Sequence, residues 1–341
     1  MLSMGTKKPS IYDIAEAVGV SPAAVSYVIH GKNKVSPATR QRILDTMEKM
    51  GYTIDRAAAS LSTGKSGLVG VCFPLRSQFE VFSDNPFYSE FLAAFSKEAA
   101  DHGYDVVVGY VQSPDTFEKW MLSRRLDGVV VFGLYSPEIF KIIRRHHIPF
   151  VLSDTYENLT DCSVVRVADE EGGYLAAKYL LEQNLRKIAF VGGQLNESKV
   201  DAYRFGGMKR ALAEQNLEPA FAFETRTTFD GGYEAAVEIF KNLKNIDAVF
   251  CGSDIVAIGL MRRLQELGVS IPDDISVIGF DNLQATTYVY PALTTIAQDI
   301  SAKGQLAADS IFHLIEDPSA PKEIHILRPN LVIRNSVKRK D

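Results

Sequence analysis

The sequence has little of what disulfide-built, membrane-spanning or metal-clustered proteins depend on. It carries three cysteines, Cys72, Cys162 and Cys251, far apart and two of them inside apolar runs, so neither a disulfide framework nor a metal cluster is expected. No stretch reaches the ~18 uninterrupted apolar residues of a membrane span. The opening Met-Leu-Ser-Met-Gly-Thr-Lys-Lys lacks the apolar core of a secretory signal, and a cytoplasmic protein without membrane partners is expected. No Gly-x-Gly-x-x-Gly follows a strand; Gly192-Gly193 and Gly206-Gly207 instead read as turn and close-packing glycines. No nucleophile, histidine and acid stand out as a set, and His146-His147 follow Arg144-Arg145 at a helix end, where cations favour the dipole. These absences argue against an enzyme, a bound cofactor and a metal site.

What is present is a chain of 341 residues, 46% of them hydrophobic, long enough for two or three domains with proper cores. Its formal charge of −5 is unevenly distributed. The first 65 residues hold nine Lys or Arg against five acids, a balance of +4 that leaves −9 for the rest. A basic head on an acidic body suits contact with DNA at one end only, because phosphate neutralisation supplies most of the sequence-independent affinity.

Within that head, residues 11–30 read as two short helices joined by a tight turn. Ile14, Ala15 and Val18 form an apolar stripe at helical spacing, and Gly19 sits where a left-handed residue is needed. Ser21 can cap a second helix, Pro22 fits its first position, and Val25, Val28 and Ile29 form its buried stripe. Small Ala15 permits close approach, leaving Ala23, Ala24, Ser26 and Tyr27 to face outward: a helix-turn-helix pattern that would present these residues to a DNA major groove. After the basic turn 30–34, Ser36-Pro37 opens a third helix, with Ile43, Leu44, Met47 and Met50 on one face and Gly51 at its end. Residues 1–54 thus make a three-helix DNA-binding domain. Residues 55–67, with an alanine run and the single leucine Leu61, read as a hinge too short to hold a helix alone in water.

From Leu68 the pattern changes to short βα repeats. Apolar strand-like runs at 68–73, 105–110, 128–132, 150–153, 187–191, 248–251 and 275–280 alternate with helical patterns near 88–102, 115–125, 137–146, 170–184, 199–215, 231–243, 254–267 and 301–316. This predicts α/β architecture with two doubly wound parallel sheets, because the roughly 270 residues are too many for one such sheet. Residues 68–341 would then form a two-lobed body, with a first lobe at 68–161 and 282–296 and a second at 162–281 and 297–341. Crossings are expected near 161–168 and 281–297. Ligands in such folds sit at the C-terminal strand ends, which makes the cleft between lobes the expected site.

Several motifs occur together in order: Ile-Tyr-Asp-Ile-Ala-Glu-Ala-Val-Gly-Val-Ser at 11–21, Val-Ser at 25–26, Arg-Leu-Asp-Gly-Val at 125–129, Phe-Cys-Gly-Ser-Asp at 250–254, Ile-Gly-Phe-Asp-Asn at 278–282 and Pro-Ala-Leu-Thr-Thr-Ile at 291–296. With them, residues 10–336 resemble the lactose-repressor (LacI/GalR) family of bacterial transcription regulators. The resemblance implies a periplasmic-binding-protein-like body and a homodimer whose two heads read a pseudo-palindromic operator. Its hinges, here with Ala58 and Leu61, would lie side by side in the minor groove. Leu61 matches a wedge that opens the central base step. Ser21, Ser26 and Ser36 match phosphate-contacting hydroxyls, and Lys34 lies in a loop facing the DNA backbone. Base reading falls to Ala23, Ala24 and Tyr27, where Tyr27 departs from the arginine common in the family.

In the body, the resemblance places Phe87 and Tyr88 as an aromatic platform for a small-molecule effector, with Arg204 and Asp281 as polar cleft groups. Asp154 and Ser253 join them from strand ends; for an Asp or Arg placed there, an inter-lobe ion pair is the structural alternative. Residues 76–83 lengthen the loop before Asn85, a departure from the pattern. The implied function is a transcription regulator, expected to repress, controlled by a sugar or sugar phosphate. A sugar-binding transport receptor would share the body but not the basic head. The tail 331–341 carries no leucine heptad, so a dimer without a tetramerisation helix is expected.

Overall fold

The computed structural model describes residues 9–29, 34–52, 64–74, 85–111, 113–133, 137–156, 161–196 and 199–340. It separates into two units, Met1–Ser66 and Gly67–Asp341. The expected hinge with Ala58 and Leu61 and the lengthened loop at 76–83 lie outside the described residues.

The first unit contains α1 (Ile11–Val18), α2 (Pro22–Ile29) and α3 (Pro37–Lys49). Ser10 and Asp13 form a reciprocal capping box at the start of α1, satisfying two otherwise orphaned donors. Gly19 closes α1 at φ 73°, a left-handed conformation that costs a glycine little. Ile14, Val25 and Ile43 are fully buried at the centre of this unit, with Ala15, Val18, Val28 and Met47 around them. Leu44 and Met50, expected on the same face, are instead exposed. Among the described residues of this helix, only the i, i+4 pair Ile43 and Met47 is buried, a narrower stripe than the sequence pattern suggests.

The second unit holds two six-stranded sheets. The first lobe comprises β1 (Leu68–Pro74), α4 (Pro86–Asp101), β2 (Asp105–Val111), α5 (Pro114–Ser123), β3 (Gly128–Phe132), α6 (Pro137–Arg145), β4 (Phe150–Ser153) and β5 (Ser163–Val167). The second lobe follows with α7 (Asp169–Glu182), β6 (Ile188–Gly192), α8 (Lys199–Ala213), β7 (Phe221–Glu224), α9 (Phe229–Lys241), β8 (Ala248–Cys251), α10 (Asp254–Glu266), β9 (Ser276–Asp281) and β10 (Thr294–Ala297). The chain then forms α11 (Ile300–Glu316), β11 (Ile324–Leu327) and β12 (Asn330–Val332). Strand order is β11-β5-β4-β3-β1-β2 in one sheet and β12-β10-β9-β8-β6-β7 in the other. Central strands such as Gly128–Phe132 and Ala248–Cys251 are buried throughout, as parallel strands covered on both faces must be.

The lobe boundaries differ from expectation. Residues 163–167 pair with β4, so the first lobe continues to Val167 rather than ending at 161. The segment 282–296 does not return to the first lobe. Its strand, β10, runs parallel to β9 with Thr294 opposite Ile278, and Leu293 and Ile296 are buried in second-lobe cores. The return is made by α11, whose Ile311 and Phe312 pack among Phe91, Phe95 and Val130 of the first lobe. At Gly304 of that helix, a Cβ would meet the Phe91 carbonyl oxygen at 2.7 Å, so close backbone approach requires the glycine. A third crossing, between Leu327 and Asn330, was not expected: β11 pairs with β5 of the first sheet and β12 with β10 of the second.

Candidate functional site

In the head, helix geometry sorts the expected DNA-facing residues. Ser21 accepts the Ala24 amide hydrogen at 3.2 Å, which leaves its own hydroxyl hydrogen available to a phosphate. Ser36 accepts from the Thr39 amide and donates to Thr39 Oγ1 at 2.9 Å, so its hydrogen already has a partner. Ala23 is exposed, and Ala24, Ser26 and Tyr27 are half-buried along α2. The Lys34 ammonium lies 5.3 Å from the Tyr27 ring centroid. This pairing places a cation beside the one aromatic ring on the expected reading face. Arg42 donates to the Val18 carbonyl at 2.7 Å, satisfying a free acceptor at the end of α1 and tying α3 to it.

In the body, the C-terminal strand ends carry a continuous polar network across the lobes. Asp154, just beyond β4 at φ 54°, accepts from Lys303 Nζ at 2.7 Å. The same ammonium donates to Gln298 Oε1 at 2.8 Å and lies 5.0 Å from the Phe87 ring centroid. Gln298 donates to Asp281 Oδ1 at 2.5 Å. Asp281 ends β9 at φ 119°, a conformation disfavoured for any residue but glycine, and lies 3.7 Å from the Arg204 guanidinium. Arg204 in turn donates to Asp169 Oδ1 at 2.7 Å and lies over the Phe280 ring. Tyr156 of the first lobe donates to the other Asp169 oxygen and stacks on Tyr203 of the second, with centroids 4.0 Å apart.

Burial acts on individual groups at this site. It pushes the Asp281 carboxyl up to about 6, against the opposing pull of Arg204, Gln298 and Lys303. Asp254 is raised further, first by burial and then by the charge of Asp281, although Thr295 Oγ1 at 2.6 Å and the Leu283 amide at 2.8 Å donate to it. Burial opposes the charge of Arg204, but Asp169, Asp281 and Asp201 together hold its basicity above the ordinary arginine value.

The expected effector residues therefore occupy unequal positions. Asp154, Arg204 and Asp281 join one network. Phe87 is buried in an aromatic cluster with Phe73 and Phe132, while Tyr88 is half-buried at its margin. Ser253 is buried, and its hydroxyl has no partner among the described residues, not even as a cap of α10. Lys303, Gln298, Tyr156, Asp169 and Asp254 were missed by sequence reasoning. For Lys303 a signal existed: it lies on the stripe 303, 307, 311 of α11, so a charge interrupts an otherwise apolar face.

Two family models match the chain. One, "Bacterial regulatory proteins, lacI family", covers residues 10–55, and "Periplasmic binding protein-like domain" covers 177–337. The HTH-type transcriptional repressor PurR of Vibrio campbellii is 31% identical over 97% of this chain and 99% of its own length. The chain belongs to the lacI family of bacterial regulatory proteins. Catabolite control protein A of Priestia megaterium is 29% identical over 96% of the chain and 99% of that protein. Among solved structures, the lac repressor dimer bound to operator and the anti-inducer ONPF superposes with a TM-score of 0.81 at 25% identity, over 97% of this chain and 99% of that one. A lacI-family regulator from Enterococcus faecium with bound ribose gives 0.73 at 27% identity, over 80% and 100%. Among the described residues, no helix of this lacI-family protein is long and apolar enough to cross a membrane.

Proposed function

We propose that this chain is a homodimeric, sequence-specific transcription repressor controlled by a small polyhydroxylated effector. Its DNA surface comprises Ser21, Ala23, Ala24, Ser26, Tyr27, Lys34 and Ser36, with Ala58 and Leu61 of the hinge. Its effector site comprises Tyr88, Asp154, Arg204, Ser253 and Asp281, with Phe87 beneath. The observation that carries effector control is the buried network from Asp154 through Lys303, Gln298 and Asp281 to Arg204 and Asp169, which spans both lobes. A ligand that exchanges hydrogen bonds with it changes how the lobes close, and can act on DNA binding through differential affinity for the two closures. Its charge favours a neutral sugar over a sugar phosphate, since Lys303 and Arg204 already pair with Asp154, Asp169 and Asp281. The ribose-bound relative supports the same class.

Dimerisation is supported by the lac repressor dimer and by exposed apolar residues on the edge strand β2, Val108 and Tyr110. Regulatory homologues favour this reading over an enzyme. Selection of the full chain on a random-sequence DNA library tests it. A pseudo-palindromic site is expected to emerge, with its affinity changed by one member of a sugar panel. Failure to enrich any DNA would remove the repressor reading.

A further inference from the structure

Away from the lobe interface, where the C-terminal end of α4 lies beside α11, Glu98, His102 and Asp309 each offer one ligand atom, and these atoms all lie within 4.8 Å of one another. From them we infer that this chain binds a zinc ion on the outer face of the first lobe. One imidazole and two carboxylates suit Zn²⁺, a borderline-soft cation, better than the oxygen-only preference of Mg²⁺ or Ca²⁺. Tetrahedral Zn²⁺ with bonds of about 2.0–2.2 Å places its ligands roughly 3.3–3.6 Å apart, a closure that rotation of these side chains can supply.

Their supports are already ordered. Glu98 and His102 stand one helical turn apart, and α4 is held against α11 by the backbone contact at Gly304. The His102 ring stacks on Phe312, with centroids 4.5 Å apart and planes 16° from parallel. Its Nδ1 lies 4.0 Å from a Glu316 carboxylate oxygen, which must close by about 1 Å to accept from the imidazole and orient it on a metal. His102 and Asp309 are exposed, which admits water as a fourth ligand. Such an ion would join α4 to α11, the helix with which the chain returns to the first lobe.

The full-length protein is titrated with Zn²⁺ in competition with a fluorescent chelator, and its melting is followed with and without the ion. One zinc equivalent is expected that is lost in both His102→Ala and Asp309→Asn, with roughly 10-fold weaker binding in Glu316→Gln. Zinc should raise the melting temperature of the parent but not of His102→Ala. The substituted residues are at the surface, and melting without zinc verifies that each variant folds. Equal zinc binding by the parent and both ligand variants, or no uptake by the parent, would overturn the assignment.

Discussion

Single residues decide the chemistry between the lobes. Arg204 is the counter-charge for two buried carboxylates, Asp169 and Asp281. Removing one partner of such a cluster leaves uncompensated charge, so Arg204→Ala is expected to lose about 3–5 kcal/mol of stability. Chemical denaturation measures this directly; a loss below about 1 kcal/mol would contradict the described pairing. Asp281 gives a pH signature. Because its native carboxyl is raised to about 6 from the ordinary 3.8, its stabilising contribution is full below about pH 4 and is lost as pH rises through about 6. Asp254, raised for the same reason, acts with the same sign. Between pH 4 and pH 7, Asp281→Asn should therefore gain stability relative to the parent, as followed by denaturation at each pH. A constant difference would place the titration elsewhere.

At the level of elements, close helix packing positions Arg204. A Cβ at Gly207 of α8 would meet the Glu170 carbonyl oxygen of α7 at 1.8 Å, and one at Gly173 would meet the Arg204 carbonyl oxygen at the same distance. Gly207→Ala must separate these helices, with an expected cost of at least about 1–3 kcal/mol from overpacking. A melting temperature equal to the parent's would show that the contact yields freely. In the head, Ser10→Ala removes the capping box and should lose about 1 kcal/mol, read from the unfolding of this unit.

The same elements define what the sequence could disclose. Runs such as Gly-Val-Val-Val-Phe at 128–132 are legible because a strand covered on both faces must be apolar throughout. Thr294–Ala297 opens on two threonines and Ile324–Leu327 alternates exposed with half-buried residues, so neither reads as a continuous apolar run, and their sheet membership depends on contacts with residues far along the chain. That is why the segment 282–296 was assigned to the wrong lobe and the third crossing was not foreseen. Arg204 and Asp281, singled out by the family resemblance, both join the buried network, whereas Lys303 lay in a helix correctly expected but read only for its apolar face. Glu98, His102 and Asp309 come together only through α11's return to the first lobe, a tertiary fact without a local pattern.

For the whole molecule, two assemblies matter: chain with chain, and chain with DNA. Tyr110 is 44% exposed on the edge of the first sheet. If that edge meets its copy, Tyr110→Asp should move the protein from dimer toward monomer in sedimentation, while an unchanged dimer would assign the interface to another surface. In the proposed repressor, operator and effector binding are coupled, and coupling is reciprocal: an effector that changes operator affinity by some factor must have its own affinity changed equally by operator. The most direct test titrates the full chain with its selected operator, with and without the active sugar, and then with the sugar, with and without operator. The same factor, roughly 5–150-fold, is expected in both directions. Operator affinity that does not change at saturating sugar would contradict it.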